Sequence, residues 1–147
     1  MNNTVIKRLF DFSFSVICFL LLFLPMLIIW MISSIDTRAN GIFKQYRIGR
    51  KAQNFILYKF RTMRVQKQAG STITASGDPR ITAVGRFFRK WKIDELPSLF
   101  NVIKGDMSFV GPRPDVAGYA DMLEGENRKI LDLRPGITGP ASLTYAK

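Results

Sequence analysis

Asp94 and Glu95 stand side by side where the most basic part of the chain gives way to an acidic one. Residues 36–93 carry 14 Lys and Arg against two Asp, whereas residues 94–147 carry six against eight acids. A carboxylate in such a setting can bind Mg2+ or attack phosphorus directly, while nearby guanidinium groups hold phosphate oxygens. The composition removes most other routes. The 147 residues contain no histidine, which excludes imidazole bases, histidine zinc sites and phosphohistidine intermediates. The one cysteine, Cys18, supports neither an internal disulfide nor a four-cysteine metal site. An aspartate nucleophile is the covalent route left open. The same Asp-Glu pair is also what an ordinary helix start carries, so both readings stand at this point.

The elements that must position these residues follow from pattern. Asp94 is expected to N-cap a helix with Glu95 and Pro97 in its first turn, Leu96, Leu99, Phe100 and Ile103 on its apolar face, and Gly105 at its end. Before it, Asp78-Pro79 reads as a helix start. Ile81, Val84, Gly85, Phe88 and Trp91 then share one face, with Arg86, Arg89 and Lys90 on the other. Such a basic amphipathic helix suits a membrane interface, and equally a protein surface. Ile42–Ile48 and residues 55–60 read as strands of a hairpin turned at 49–54, and residues 70–77 as a polar loop. Gly111-Pro112-Arg113-Pro114 and Arg134-Pro135-Gly136-Ile137-Thr138-Gly139-Pro140 read as rigid loops, the first presenting Arg113 for bidentate phosphate contact. A helix is expected between them, over about 115–133.

Residues 12–35 hold no charge, and a straight helix of that length reaches about 36 Å, enough to cross a bilayer core. Pro25 interrupts it, and basic residues flank both ends: Lys7 and Arg8 before, then Arg38, Lys44, Arg47, Arg50 and Lys51 after. Positive flanks favour the cytoplasm at both ends, and the proline favours a kink. Two readings stay open on these residues: a spanning anchor, and a re-entrant helix that enters and leaves one face. The net charge of +11 asks for an anionic partner. Phosphoryl transfer at a membrane is one function class. A membrane-tethered basic module that grips anionic lipid or nucleic acid without catalysis is the alternative, although no nucleic-acid motif is present.

The chain resembles the bacterial sugar transferases, monotopic polyprenyl-phosphate sugar-1-phosphate transferases with a small catalytic domain. The motifs that carry the resemblance run in fixed order over nearly its whole length. They are Lys7-Arg8-Leu9-Phe10-Asp11, the helix broken at Pro25, Arg47-Ile48-Gly49, Tyr58-Lys59-Phe60-Arg61-Thr62-Met63, Asp78-Pro79-Arg80-Ile81-Thr82 and Gly85-Arg86-Phe87-Phe88-Arg89. Asp94-Glu95-Leu96-Pro97, Asn101-Val102-Ile103-Lys104-Gly105-Asp106-Met107-Ser108, Val110-Gly111-Pro112-Arg113-Pro114 and Pro135-Gly136-Ile137-Thr138-Gly139 complete the set.

The resemblance implies a mixed α/β, mainly helical fold: a re-entrant membrane helix over 1–35 and a membrane-interface catalytic domain over 36–147, on the cytoplasmic face of the bacterial inner membrane. It implies attack by Asp94 on the sugar-linked phosphate of a UDP-sugar, release of UMP, and transfer to undecaprenyl phosphate. That reaction would begin a capsule, exopolysaccharide or O-antigen. Glu95 matches the residue expected to hold Mg2+, Arg89 an arginine placed for the lipid phosphate, and Lys59 and Arg113 basic positions near the substrate phosphates. Membrane lipid is an expected partner and nucleic acid is not; a homodimer is left open. Three departures from the family pattern are present: Leu24 precedes Pro25 where serine is common, Pro140-Ala141-Ser142-Leu143 replaces the usual glutamine, and Lys147 ends the sequence where family members continue. The last leads us to expect a shortened chain.

Overall fold

The computed structural model describes residues 3–65 and 78–139. The loop expected at 70–77 lies outside the described residues. The architecture is mixed α/β, with an apolar N-terminal helix, two small two-stranded sheets, and short helices and 3₁₀ turns between them.

Helix α1 spans Asn3–Thr37 with Pro25 inside it. Among the described residues it is the one helix long and apolar enough to cross a membrane. Much of its surface is apolar and exposed: Leu20 is 70% exposed, Leu21 74% and Leu24 65%. A helix that leaves leucines exposed in this way has not used them to build a core, so they are available to lipid. Its buried residues are instead the polar Asp11, Ser15, Ser33 and Thr37.

The chain, α1 included, divides into two compact units. The first comprises Met1–Leu21, Lys44–Tyr58 and Ser98–Lys147, and the second Leu22–Phe43 and Lys59–Pro97.

In the first unit, strand β1 (Ile42–Ile48) pairs with β2 (Asn54–Phe60), both beginning outside or ending beyond the unit's limits. The turn between them is closed by Gly49 N–H donating to the Gln53 carbonyl. Phe55, Leu57, Val102 and Met107 form a core with Phe109 and Ile137 against it. Helix α3 (Ser98–Lys104) buries Leu99, Asn101 and Val102, while Phe100, expected on the apolar face, is 45% exposed. Asn101 wins the inner position because its amide completes the edge of β2. Its Nδ2 donates to the Ile56 carbonyl at 2.7 Å, and its Oδ1 accepts from Tyr58 N–H at 3.1 Å.

A short strand precedes the first expected Pro/Gly loop, and another lies inside the second. Strand β3 (Ser108–Val110) pairs in parallel with β4 (Gly136–Thr138), with Ser108 opposite Gly136 and Val110 opposite Thr138. The pairing depends on missing side chains: a Cβ on Gly111 would run into the Arg134 carbonyl. Residues 112–114 stay irregular. The helix expected over 115–133 is replaced by 3₁₀ segments at Ala120–Met122 and Gly125–Asp132. Gly118 (φ 92°) and Gly125 (φ 57°) take left-handed conformations there, which end a right-handed helix.

In the second unit, helix α2 is Ala83–Lys90. Its N-cap is Thr82, whose hydroxyl accepts from Gly85 N–H at 2.9 Å. Asp78 does not cap this helix. Its carboxylate instead accepts from Arg80 N–H and from the Arg80 guanidinium, closing a tight turn. These bonds hold its pKa down, at about 2. Ile81 is thereby drawn into an antiparallel bridge with Met63 and out of the helix. Gly85 and Phe88 face inward as expected. Trp91 does not: it is 63% exposed, beside the exposed Phe87 at 6.4 Å between ring centres.

Candidate active site

Four of the expected site residues, Asp94, Glu95, Lys59 and Arg89, belong to the second unit. Asp94 and Glu95 occupy a single 3₁₀ turn, Ile93–Glu95, and do not open α3. The turn forms because Lys92 takes a left-handed conformation (φ 56°) after α2 and reverses the chain. Glu95 N–H then donates to the Lys92 carbonyl at 3.2 Å. This places a carboxylate pair directly after the basic end of α2.

The two carboxylates have different environments. Glu95 accepts from Lys59 Nζ at 2.9 Å, in an ion pair shielded on both sides. Asp94 is buried, and its Oδ1 has no hydrogen-bond partner among the described residues. Burial pushes the Asp94 carboxyl above its usual pKa; Lys59, Arg89 and Lys92 pull it back, and Glu95 adds to the rise. A desolvated carboxylate oxygen with no donor among the described residues keeps its lone pairs uncommitted to the protein.

Arg89 is held at the side of this pair. Its Nε donates to Thr62 Oγ1 at 2.8 Å, and the Thr62 carbonyl accepts from Thr82 N–H at 3.2 Å. A Cβ on Gly85 would strike that same Thr62 carbonyl. The chain just past β2 and the start of α2 are thus locked together, and the guanidinium keeps its terminal nitrogens for other work.

Arg113 lies in the first unit, on the exposed loop after β3. There it lines a cavity of about 350 Å³ together with Ile48, Asp115, Tyr119, Asn127 and Leu131. Pro25 is exposed within α1. Sequence reading missed Lys92 and Thr62 as neighbours of the site. The only signal for Lys92 was its place two residues before Asp94; Thr62 had none beyond the string that contains it.

The described residues include no group of three or more acidic, histidine or cysteine side chains able to cage a metal. Mg2+ does not require such a cage, since it is usually held by one or two carboxylates together with substrate phosphates. Adjacent carboxylates, one with an orphaned buried oxygen, fit that mode.

Taken together, an apolar membrane-type helix and a buried aspartate ringed by Lys59, Arg89 and Lys92 define a membrane-associated protein equipped for anionic substrates. The sequence comparison makes this specific: the bacterial sugar transferase family matches over residues 2–147, and the chain belongs to that family. A sugar transferase of Bacillus subtilis (strain 168), EpsL, is 38% identical over 141 residues, covering 95% of this chain and 68% of the relative. The UDP-N-acetylgalactosamine-undecaprenyl-phosphate N-acetylgalactosaminephosphotransferase of Aeromonas hydrophila is 38% identical over 146 residues, covering 95% of this chain and 34% of its own length. The undecaprenyl-phosphate galactose phosphotransferase of Salmonella typhimurium is 38% identical over 154 residues, covering 94% and 32%. The chain therefore spans about two thirds of one relative and about one third of the other two.

Proposed function

We propose that this chain moves a sugar-1-phosphate from a UDP-sugar to undecaprenyl phosphate at the cytoplasmic surface of the inner membrane, the first membrane step of a surface glycan. The buried, unpartnered Oδ1 of Asp94 carries this reading. In the first step that carboxylate attacks the phosphorus bonded to the sugar. The bond from that phosphorus to the bridging oxygen breaks, and UMP leaves with the electron pair. In the second step a phosphate oxygen of undecaprenyl phosphate attacks the same phosphorus, forming the lipid diphosphate sugar and returning the carboxylate of Asp94.

This chain's own residues oppose the charge that would repel the attack. Lys59 and Arg89 act on Asp94 as positive charges and make the potential that meets an incoming diphosphate more positive. Arg89 is proposed to meet the lipid phosphate and Arg113 a phosphate of the donor. Mg2+, held by Glu95 and substrate phosphate oxygens, would supply further charge neutralisation when bound.

The test is Asp94→Asn. Wild-type protein incubated with labelled UDP-sugar should gain the mass of one sugar phosphate and release UMP, and the variant should do neither. Undiminished turnover by Asp94→Asn overturns the nucleophile assignment. A panel of UDP-sugars in the same assay identifies the sugar.

A further inference from the structure

The first unit contains a second cationic site, which the proposed chemistry does not use. A cavity of about 430 Å³ is lined by Thr4, Val5, Arg8, Leu9, Phe12, Arg50 and Arg134. Its three arginines are fixed in place by backbone carbonyls. Arg8 donates to the Val102 and Ile103 carbonyls at 2.6 and 2.8 Å, at the C-terminal end of α3. Arg134 Nε donates to the Gly105 carbonyl at 3.0 Å, and Arg50 Nε to the Asp132 carbonyl at 2.8 Å. Gly105, with φ 100°, leaves space for the approach: a Cβ there would lie 3.1 Å from an Arg8 terminal nitrogen.

None of the three guanidiniums forms a salt bridge with a carboxylate among the described residues. Carbonyl dipoles orient them but do not cancel their charge. They also act on one another: burial lowers the Arg134 pKa first, the charges of Arg8 and Arg50 lower it further, and the Asp11 carboxylate offsets part of the fall. Three converging, oriented arginines with no ion-pair partner among the described residues suit an anionic ligand. The opposite wall is apolar. Val5 is 58% exposed and Leu9 60%, both on the first turns of α1, where an apolar membrane helix begins.

We propose that this cavity binds the headgroup phosphate of an anionic membrane phospholipid, with its acyl chains lying along Val5, Leu9 and Phe12. The guanidiniums grip the phosphate, and the apolar wall restricts the occupant to a lipid. A soluble phosphate would leave that wall in water.

Native mass spectrometry of the full chain released from detergent tests this with phosphatidylglycerol and phosphatidylcholine as probes. Phosphatidylglycerol should remain bound at one copy, and phosphatidylcholine should not. Arg50→Gln should weaken retention about tenfold, the loss of one charge-assisted contact, and Arg50→Lys should restore part of it. Arg50 is chosen because it is exposed and leaves the capping of α3 by Arg8 intact. Circular dichroism checks that the variant is folded. Equal retention of the two lipids, or an unchanged Arg50→Gln, overturns the proposal. Displacement by millimolar inorganic phosphate would assign the cavity to a soluble anion. Displacement by equimolar undecaprenyl phosphate would assign it to the acceptor. Either result removes the phospholipid.

Discussion

Asn101 shows how one side chain can set the position of a whole element. Its residue is completely buried, and both ends of its amide are spent on the β2 backbone. Asn101→Leu would keep the volume but leave Tyr58 N–H and the Ile56 carbonyl unsatisfied in the core. Each such group costs about 1–3 kcal/mol, so destabilisation of about 2–6 kcal/mol is expected. Thermal unfolding in detergent, followed by circular dichroism, measures it, and a loss under 1 kcal/mol would show that β2 does not depend on the amide. The position was not legible in the sequence, where Leu99 and Phe100 compete for the same face and an asparagine reads as surface. The two acids were legible as a pair at a charge boundary. Their separation into an ion-paired Glu95 and a desolvated Asp94 was not, because it depends on Lys59, 36 residues away in sequence.

Among the elements, those with strong periodicity were read well and those ended by local hydrogen bonding were not. The apolar run and strand Ile42–Ile48 are formed as expected. The start of α2 was misplaced because Asp78 and Thr82 are both good caps, and only Arg80 decides between them by engaging Asp78 in its own turn. This gives a test of which residue caps the helix. Thr82→Ala should cost about 1 kcal/mol of stability, the usual loss of an N-cap. Asp78→Ala should break the part-buried pair with Arg80 and leave the helix capped, so amide exchange at Gly85 should quicken in Thr82→Ala and not in Asp78→Ala; the reverse would restore Asp78 as the cap. The exposed face of α2 carries Phe87 and Trp91 beside Arg86 and Lys90, a composition that fits the headgroup layer. With Trp30→Phe leaving Trp91 as the sole tryptophan, its fluorescence in vesicles should be quenched by brominated lipids. Unquenched emission would place that face in water.

For the molecule as a whole, the open matter is how α1 meets the bilayer. As a straight 35-residue helix it would be about 52 Å long, well beyond a hydrocarbon core of about 30 Å. Each end is also tied to polar protein. Near its start, Arg8 donates to the Val102 and Ile103 carbonyls, and Asp11 accepts from Lys7 and Ser108. Near its finish, Ser33 donates to the Gly41 and Arg61 carbonyls. No other helix among the described residues is long and apolar enough to cross. We propose that α1 turns at Pro25 and leaves by the face it entered, as the basic residues flanking both ends of the apolar run favour. Proline would promote such a turn by removing one backbone donor and crowding the preceding carbonyl. Pro25→Ala restores the donor and should favour a straighter, spanning helix. In a Cys18→Ser background with Asn3→Cys, a membrane-impermeant thiol reagent should label position 3 from the cytoplasmic side. Adding Pro25→Ala should increase labelling from the periplasmic side. Periplasmic labelling with Pro25 intact would establish a spanning anchor and defeat the re-entrant proposal, leaving the role of Asp94 to be judged on its own assay.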